Sequence, residues 1–233
     1  MSLNSIRAML LDVEGTTTPI SFVHEVLFPY SREHLHSFLE QHKQSSLIAN
    51  DLELLKQEHI TDINAGNSPP PLFEEYVYWL IDQDRKSPGL KSIQGKIWEQ
   101  GYNDGALKAP VFPDVRPAME RWHDKAINIS IFSSGSVLAQ KLLFAHSDAS
   151  DLTKLISNYF DTSVGKKNEM ESYRRISAAL NLATNDICFI SDVNTELDAA
   201  ADAGLKTLLC VRPGNPLQKK TQLHRTIYTF DEV

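Results

Sequence analysis

Two carboxylates, Asp12 and Glu14, stand two residues apart at the end of an apolar run, in the stretch LLDVEGTT at residues 10–17. Residues i and i+2 of an extended chain project to the same side, so as a strand continues into its loop both carboxyls can converge on one small volume. Like charges that close repel unless a cation or a proton occupies the space beside them. Further along, Ser133, Ser134 and Gly135 follow a second apolar run, Ser191 and Asp192 follow a third, and Lys166 and Lys167 precede a helical pattern. Together they supply carboxylates for a divalent cation, hydroxyls and helix N-terminal amides for an anion, and a lysine to offset charge.

Such a set works only if a fold gathers strand ends. Apolar runs at 6–11, 127–132, 187–190 and 207–211 are continuous rather than alternating, as in strands buried on both faces of a parallel sheet. Helical patterns lie between them at 116–125, 137–144, 171–182 and 193–203, the last stopped by Gly204 in a C′ position. This alternation predicts a doubly wound α/β core with a mainly parallel, Rossmann-like sheet. Ligands in such sheets bind beyond the carboxyl ends of the strands, where the polar groups above fall.

The interval 21–111 breaks the rhythm and predicts helices at 24–42, 46–58, 72–82 and 92–102. The third has an apolar stripe of Leu72, Phe73, Tyr76, Val77 and Leu80, and residues 86–89 separate it from the fourth. The expected organisation is an α/β core of residues 1–20 and 112–233 with an all-helical insertion at 21–111.

Composition narrows the function. The 233 residues are 42% hydrophobic and 23% charged, as in a soluble globular protein, and the net charge is −7. No basic cluster exceeds a pair such as Lys166-Lys167 or Lys219-Lys220, which argues against a nucleic-acid face. Cys188 and Cys210 each sit inside an apolar run, as buried thiols on neighbouring strands. The first residues lack a basic region and long apolar core, and no apolar window approaches a membrane span. The expectation is a cytoplasmic protein without membrane contact, with nuclear entry left open, and a monomer by default.

The motifs carry a resemblance. An aspartate with a second acid two residues on, a serine after the second strand, a lysine and a late acidic pair resemble the phosphatases of the haloacid dehalogenase superfamily. More closely, DVEGTTTPISFV at 12–23, FSSGSVLAQKLLF at 132–144 and VRPGN at 211–215 resemble the acireductone synthases, or enolase-phosphatases, of methionine salvage. Most superfamily phosphatases have aspartate where Glu14 stands. The resemblance implies that Asp12 attacks phosphorus to form an aspartyl-phosphate. It also implies one Mg²⁺ per subunit, held by Asp12, the backbone carbonyl of Glu14 and Asp192. The Glu14 side chain would serve as acid and base, and Ser133 with the amides of Ser134 and Gly135 would bind phosphoryl oxygens. Lys167, two residues after Gly165, would neutralise their charge. Glu196 would orient a metal-bound water, and the insertion at 21–111 would be a cap, with Phe22, Val23 and Trp98 as candidates to line an apolar pocket.

Several alternatives stay open on the sequence. The base for enolisation is either Glu14 or a residue of the insertion. Asp192 could be only a helix N-cap, and Arg212 to Asn215 could contact substrate or merely turn the chain. A phosphatase for another small phosphorylated metabolite is the rival within enzymes. A catalytically retired fold acting as a binding module is the rival outside them.

Overall fold

The computed structural model describes residues 5–83, 85–216 and 223–233; Lys219, Lys220 and the first four residues lie outside them. The strands are β1 (Ala8–Leu11), β2 (Asn128–Phe132), β3 (Asn158–Phe160), β4 (Ile187–Ser191), β5 (Lys206–Cys210) and β6 (Arg225–Ile227). They form one sheet in the order β3-β2-β1-β4-β5-β6, every pairing parallel. The chain therefore winds outward from β1 to one edge, returns to β4, and winds to the other. That reversal between β1 and β4 is a topological switch point, where a crevice opens beyond the strand ends. Leu11 pairs with Ile131 on one side and Ile190 on the other, so the loops after β1, β2 and β4 leave the sheet at one level.

The helices are α1 (Phe28–His42), α2 (Ser46–Asn64), α3 (Phe73–Asp82), α4 (Pro88–Asn103), α5 (Val115–Asp124), α6 (Val137–Ala145), α7 (Met170–Leu180) and α8 (Asn194–Asp202). Chain contacts divide the protein into two compact units, Met1–Val23 with Lys108–Val233, and His24–Leu107. In the α/β unit, Leu10, Phe132, Tyr173, Phe189 and Leu197 belong to one buried cluster. The Tyr173 ring lies 5.6 Å edge-on to Phe132 and 5.2 Å from Phe189. Cys188 and Cys210 are free, buried thiols on β4 and β5.

In the helical unit, Leu35, Phe38, Ile48, Leu55, Tyr76, Val77, Leu80, Ile93 and Ile97 form a separate core. Trp98 belongs to the packing of this unit: its indole N–H donates to the Leu27 carbonyl at 2.8 Å and its ring lies 6.2 Å from Phe28. Asp62 is a buried carboxylate there, accepting from the Tyr76 hydroxyl and Asn67 side-chain amide at 2.7 Å each and from Arg85 Nη2 at 3.1 Å. Burial alone would raise its pKa, but Tyr76, Asn67 and Arg85 together hold it below the ordinary carboxylate value.

Several boundaries differ from expectation for local reasons. The single helix expected from 24 begins instead as a π-helical turn, Phe22–Leu27, and becomes α-helical at Phe28. Pro29 stands in the first turn of α1, where its missing N–H costs no intrahelical bond. Ser87 and Pro88, expected as a spacer, are the N-cap and first residue of α4, with Ser87 Oγ accepting from Leu90 N at 3.3 Å. Strands β3 and β6 went unforeseen because each has three residues, at a sheet edge, without a continuous apolar run. Gly204 follows α8 at φ +95°, as a C′ glycine should. Among the described residues no helix is long and apolar enough to cross a membrane.

Candidate active site

The loop after β1 is wound around one carbonyl. The amides of Thr16, Thr17 and Thr18 all donate to Val13 O, at 3.2, 3.0 and 3.0 Å, while Gly15 N donates to Thr18 O at 2.8 Å. Thr17 Oγ1 adds bonds to the carbonyls of Asp12 and Val13. Part of the hydroxyl run in the sequence thus builds the curl itself. The curl requires φ +73° at Gly15, and a Cβ there would stand 2.4 Å from Asp192 Oδ2. Glycine permits both the left-handed backbone and the close approach.

Asp12 leaves β1 with its amide bonded to Ile190 O at 3.0 Å and is only 4% exposed. Its Oδ1 accepts from Val13 N at 2.8 Å and from Lys167 Nζ at 2.5 Å; its Oδ2 accepts from Ser191 Oγ at 3.2 Å. Lys167 Nζ also lies 2.7 Å from Glu196 Oε2, and the Lys167 side chain is 10% exposed against 78% for Lys166. Lys167 thus meets the nucleophile candidate while Lys166 faces solvent. The segment is fixed from α7: Tyr173 OH donates to Lys167 O at 2.6 Å and Ser172 Oγ to Lys166 O at 2.7 Å. Burial pulls the Lys167 pKa down, but the charges of Asp12 and Glu196 more than reverse this and raise it.

Asp192, just past β4, and Glu196, in the first turn of α8, complete the acidic side. Asp192 is pushed up to about 7 by burial, then by the charges of Asp12 and Glu196, against the opposing pull of Lys167. Glu196 is likewise raised to about 7, by burial first and Asp12 second. Ser191 Oγ, at the end of β4, lies 3.2 Å from Asp12 Oδ2 and 3.0 Å from Glu196 Oε2, with one hydrogen to donate to either. Glu14 is half-buried, and its backbone forms an isolated bridge with Thr18.

On the next strand over, Ser133 is buried at the end of β2, its amide bonded to Phe160 O at 3.2 Å and its Oγ accepting from Gly135 N at 3.0 Å. Gln140 Nε2 clamps this turn by donating to Gly135 O and Phe160 O, each at 2.9 Å. Ser134 is exposed at the turn, and Ser136 caps α6 by accepting from Ala139 N at 3.2 Å. Among the candidates, Asp12 and Lys167 are in direct contact. Asn215 Nδ2 joins Asp192 to the Asp12 loop by donating to Asp192 Oδ2 at 3.1 Å and to Gly15 O at 2.8 Å. Ser191, read from the sequence with Asp192 at a strand end, and Asn215, in the segment 212–215 left open there, both prove to be partners of the site carboxylates. The strand-end position marked Ser191; the motif VRPGN marked the segment of Asn215 but not the side chains it would meet.

Among the described residues no three His, Cys, Asp or Glu side chains stand together as a ligand cluster. The donors that do fit a hard cation are the Asp12 and Asp192 carboxylates with the Glu14 carbonyl, an all-oxygen set. The upward pressure on Asp192, from burial first and from the charges of Asp12 and Glu196 second, is one that a divalent cation beside it would relieve.

Comparison with known proteins agrees with this geometry. Residues 6–204 match the haloacid dehalogenase-like hydrolase family. The chain is 48% identical to enolase-phosphatase E1 of Synechococcus elongatus over 235 residues, 98% of each chain. It is 46% identical to that of Cronobacter sakazakii, over 98% of this chain and 96% of the relative. Among solved structures, the Unknown transcript 4 protein of Saccharomyces cerevisiae superposes with a TM-score of 0.81 at 35% identity, covering 98% of this chain and 100% of that one. CbbY of Rhodobacter sphaeroides, at 15% identity and TM-score 0.62 over 97% and 96% of the two chains, shares the fold. The chain accordingly belongs to the haloacid dehalogenase-like hydrolases and, within them, to the enolase-phosphatase E1 enzymes.

Proposed function

We propose that the protein is a Mg²⁺-dependent, bifunctional enolase-phosphatase of methionine salvage. It converts 2,3-diketo-5-methylthiopentyl 1-phosphate to the acireductone 1,2-dihydroxy-3-keto-5-methylthiopentene. The observation that carries this reading is the Asp12 carboxylate at the switch point, held by Lys167, beside a second buried acid, Asp192, in a chain whose relatives are enolase-phosphatases.

Asp12 Oδ atoms are oriented by Val13 N and Ser191 Oγ, so the carboxylate is presented in a fixed direction and can attack phosphorus in line to give an aspartyl-phosphate. Lys167 offsets the charge of the nucleophile before attack and of the phosphoryl oxygens during it. Ser133 Oγ with the amide of Ser134 binds those oxygens, while the Gly135 amide, donating to Ser133 Oγ, orients that hydroxyl; the N-terminus of α6 favours an anion there. The Glu14 carboxyl protonates the leaving oxygen and then takes the proton of the water that hydrolyses the acyl-phosphate. One Mg²⁺ per subunit would be held by the Asp12 and Asp192 carboxylates and the Glu14 backbone carbonyl, and would supply positive charge to offset that of the phosphoryl group. Residues 21–111 serve as the cap, the substrate is a small phosphorylated diketone, and the protein acts as a cytoplasmic monomer. The bacterial relatives lend the nuclear alternative no support.

The test is an anaerobic assay of the diketone phosphate, with and without chelator, following phosphate release and the ultraviolet absorbance of the enediol together. Both signals, abolished by chelation, are expected. Phosphate without enediol would reduce the protein to a simple phosphatase, and neither signal would defeat the reading.

A further inference from the structure

The loop after β5 reaches back over the site through two side chains. Arg212 is its anchor: the guanidinium lies between the rings of Phe112 and Phe230 at 4.5 and 4.7 Å, and Nη1 donates to Asp114 Oδ1 at 2.9 Å. Its Nε donates to Thr16 O at 3.1 Å, which ties the loop to the curl that follows Asp12. Asn215 N in turn donates to Arg212 O at 3.2 Å, so the asparagine is delivered from a fixed backbone.

What Asn215 then does is specific to a carboxamide. Its Nδ2 has two hydrogens, and two oxygens stand within reach: Gly15 O at 2.8 Å and Asp192 Oδ2 at 3.1 Å. A carboxylate at this position would set acceptor against acceptor, and a hydroxyl has a single hydrogen for two partners. The bond to Asp192 fixes the rotation of that carboxylate. The bond to Gly15 O closes the other side of a residue whose N–H is already committed to Thr18 O. Because a trans peptide is planar, with N–H and C=O opposed, the Gly15 N–H bond also sets the direction of the Glu14 carbonyl. Both the Asp192 carboxylate and the backbone next to the Glu14 carbonyl are thereby held by one side-chain nitrogen.

We propose that Asn215 is a positioning residue for the cation site, acting through Asp192 and the Gly15 peptide rather than by touching the ion. This rests on the reading of Asp192 and Glu14 as ligands. Partners that orient metal ligands are typically worth about 10–100-fold in metal affinity. Arg212 alone still anchors the loop when the Asn215 side chain is removed, so the effect is separable from folding.

The experiment is calorimetric titration of the whole protein with MgCl₂ alone, on wild type, Asp192→Asn, Asn215→Ala and Asn215→Ser, with the melting temperature of each metal-free protein. Asp192→Asn is expected to lose binding. Asn215→Ala is expected to weaken it about 10–100-fold with little change in metal-free melting, and Asn215→Ser, which keeps one donor, to fall between. If Asp192→Asn binds Mg²⁺ like wild type, the ligand assignment itself fails. If it loses Mg²⁺ while Asn215→Ala retains wild-type affinity, the role of Asn215 alone is overturned. That role is equally overturned if the alanine and serine variants weaken binding only in proportion to a loss of metal-free stability.

Discussion

Gly15→Ala tests how tightly the fold joins the nucleophile loop to Asp192. A Cβ at this position would lie 2.4 Å from Asp192 Oδ2, 2.8 Å from its Cγ and 2.9 Å from Asn215 Nδ2, where ordinary contact begins near 3.4 Å. The carboxylate must therefore retreat by about 1 Å, and a misplacement of that size can cost about 10²-fold in turnover. The backbone adds a separate penalty, because φ +73° is left-handed and costs a non-glycine residue roughly 1–2 kcal/mol. For a chain of this size each kcal/mol lowers the melting temperature by roughly 2–4 °C. Gly66→Ala is the matched control: its φ is +75°, with nothing within 4 Å of the added carbon. Both variants should melt a few degrees below wild type, and only Gly15→Ala should lose turnover and Mg²⁺ affinity. Thermal melts, phosphate-release kinetics and Mg²⁺ titration decide it. Gly15→Ala turning over at the wild-type rate would refute the reasoning, and so would an equal loss of turnover in Gly66→Ala.

Asp12→Asn should abolish phosphate release while circular dichroism shows an intact fold; retained Mg²⁺-dependent release would sink the aspartyl-phosphate mechanism. Glu14→Ala should lower the rate by roughly 10²–10⁴ through lost proton transfer, and an unchanged rate would move that role elsewhere. The pH dependence of stability should include a contribution from Asp62, whose carboxyl is held below its ordinary pKa by Tyr76, Asn67 and Arg85 despite the opposing effect of burial. That contribution is complete above the unfolded carboxylate pKa of about 4 and disappears as pH falls through the lower folded value. Asp62→Asn should therefore melt lower at neutral pH and lose less on acidification than wild type, and parallel melting curves for the two proteins would contradict this.

The buried strands were legible because helices on both faces make β1, β2, β4 and β5 continuously apolar, a pattern unlike that of any surface element. Asp12, Ser133 and Asp192 were legible for the same reason, each being a polar residue at or just past the end of such a run. Edge strands β3 and β6 have only one covered flank in the ladder and too few residues to announce themselves. The resemblance alone singles out Lys167 over Lys166, and the physical reason is three-dimensional: adjacent residues point apart, and Ser172 and Tyr173 on α7 hold the backbone so that the second reaches Asp12. Asn215 was visible as part of the segment 212–215, but its role was not, for a different reason. Its partners, Gly15 and Asp192, lie 200 and 23 residues away, so no local pattern could link them.

The question posed by a pair of acids beside one strand becomes sharper once the fold assembles them. Asp12 and Asp192 are buried, Glu196 is half-buried, and Lys167 is the ammonium that contacts Asp12 and Glu196. If all are ionised, the group carries two uncompensated negative charges, which is why burial and mutual repulsion push both Asp192 and Glu196 up to about 7. A fold seeking stability alone would gain by replacing such a cluster with apolar groups. Retaining it makes sense where an external cation completes the charge balance, because the site then binds that ion by relieving its own repulsion. Lys167 cannot take over this task. It is engaged by Asp12 and Glu196 and leaves Asp192, the acid tethered by Asn215, as the member with the most to gain from a divalent ion.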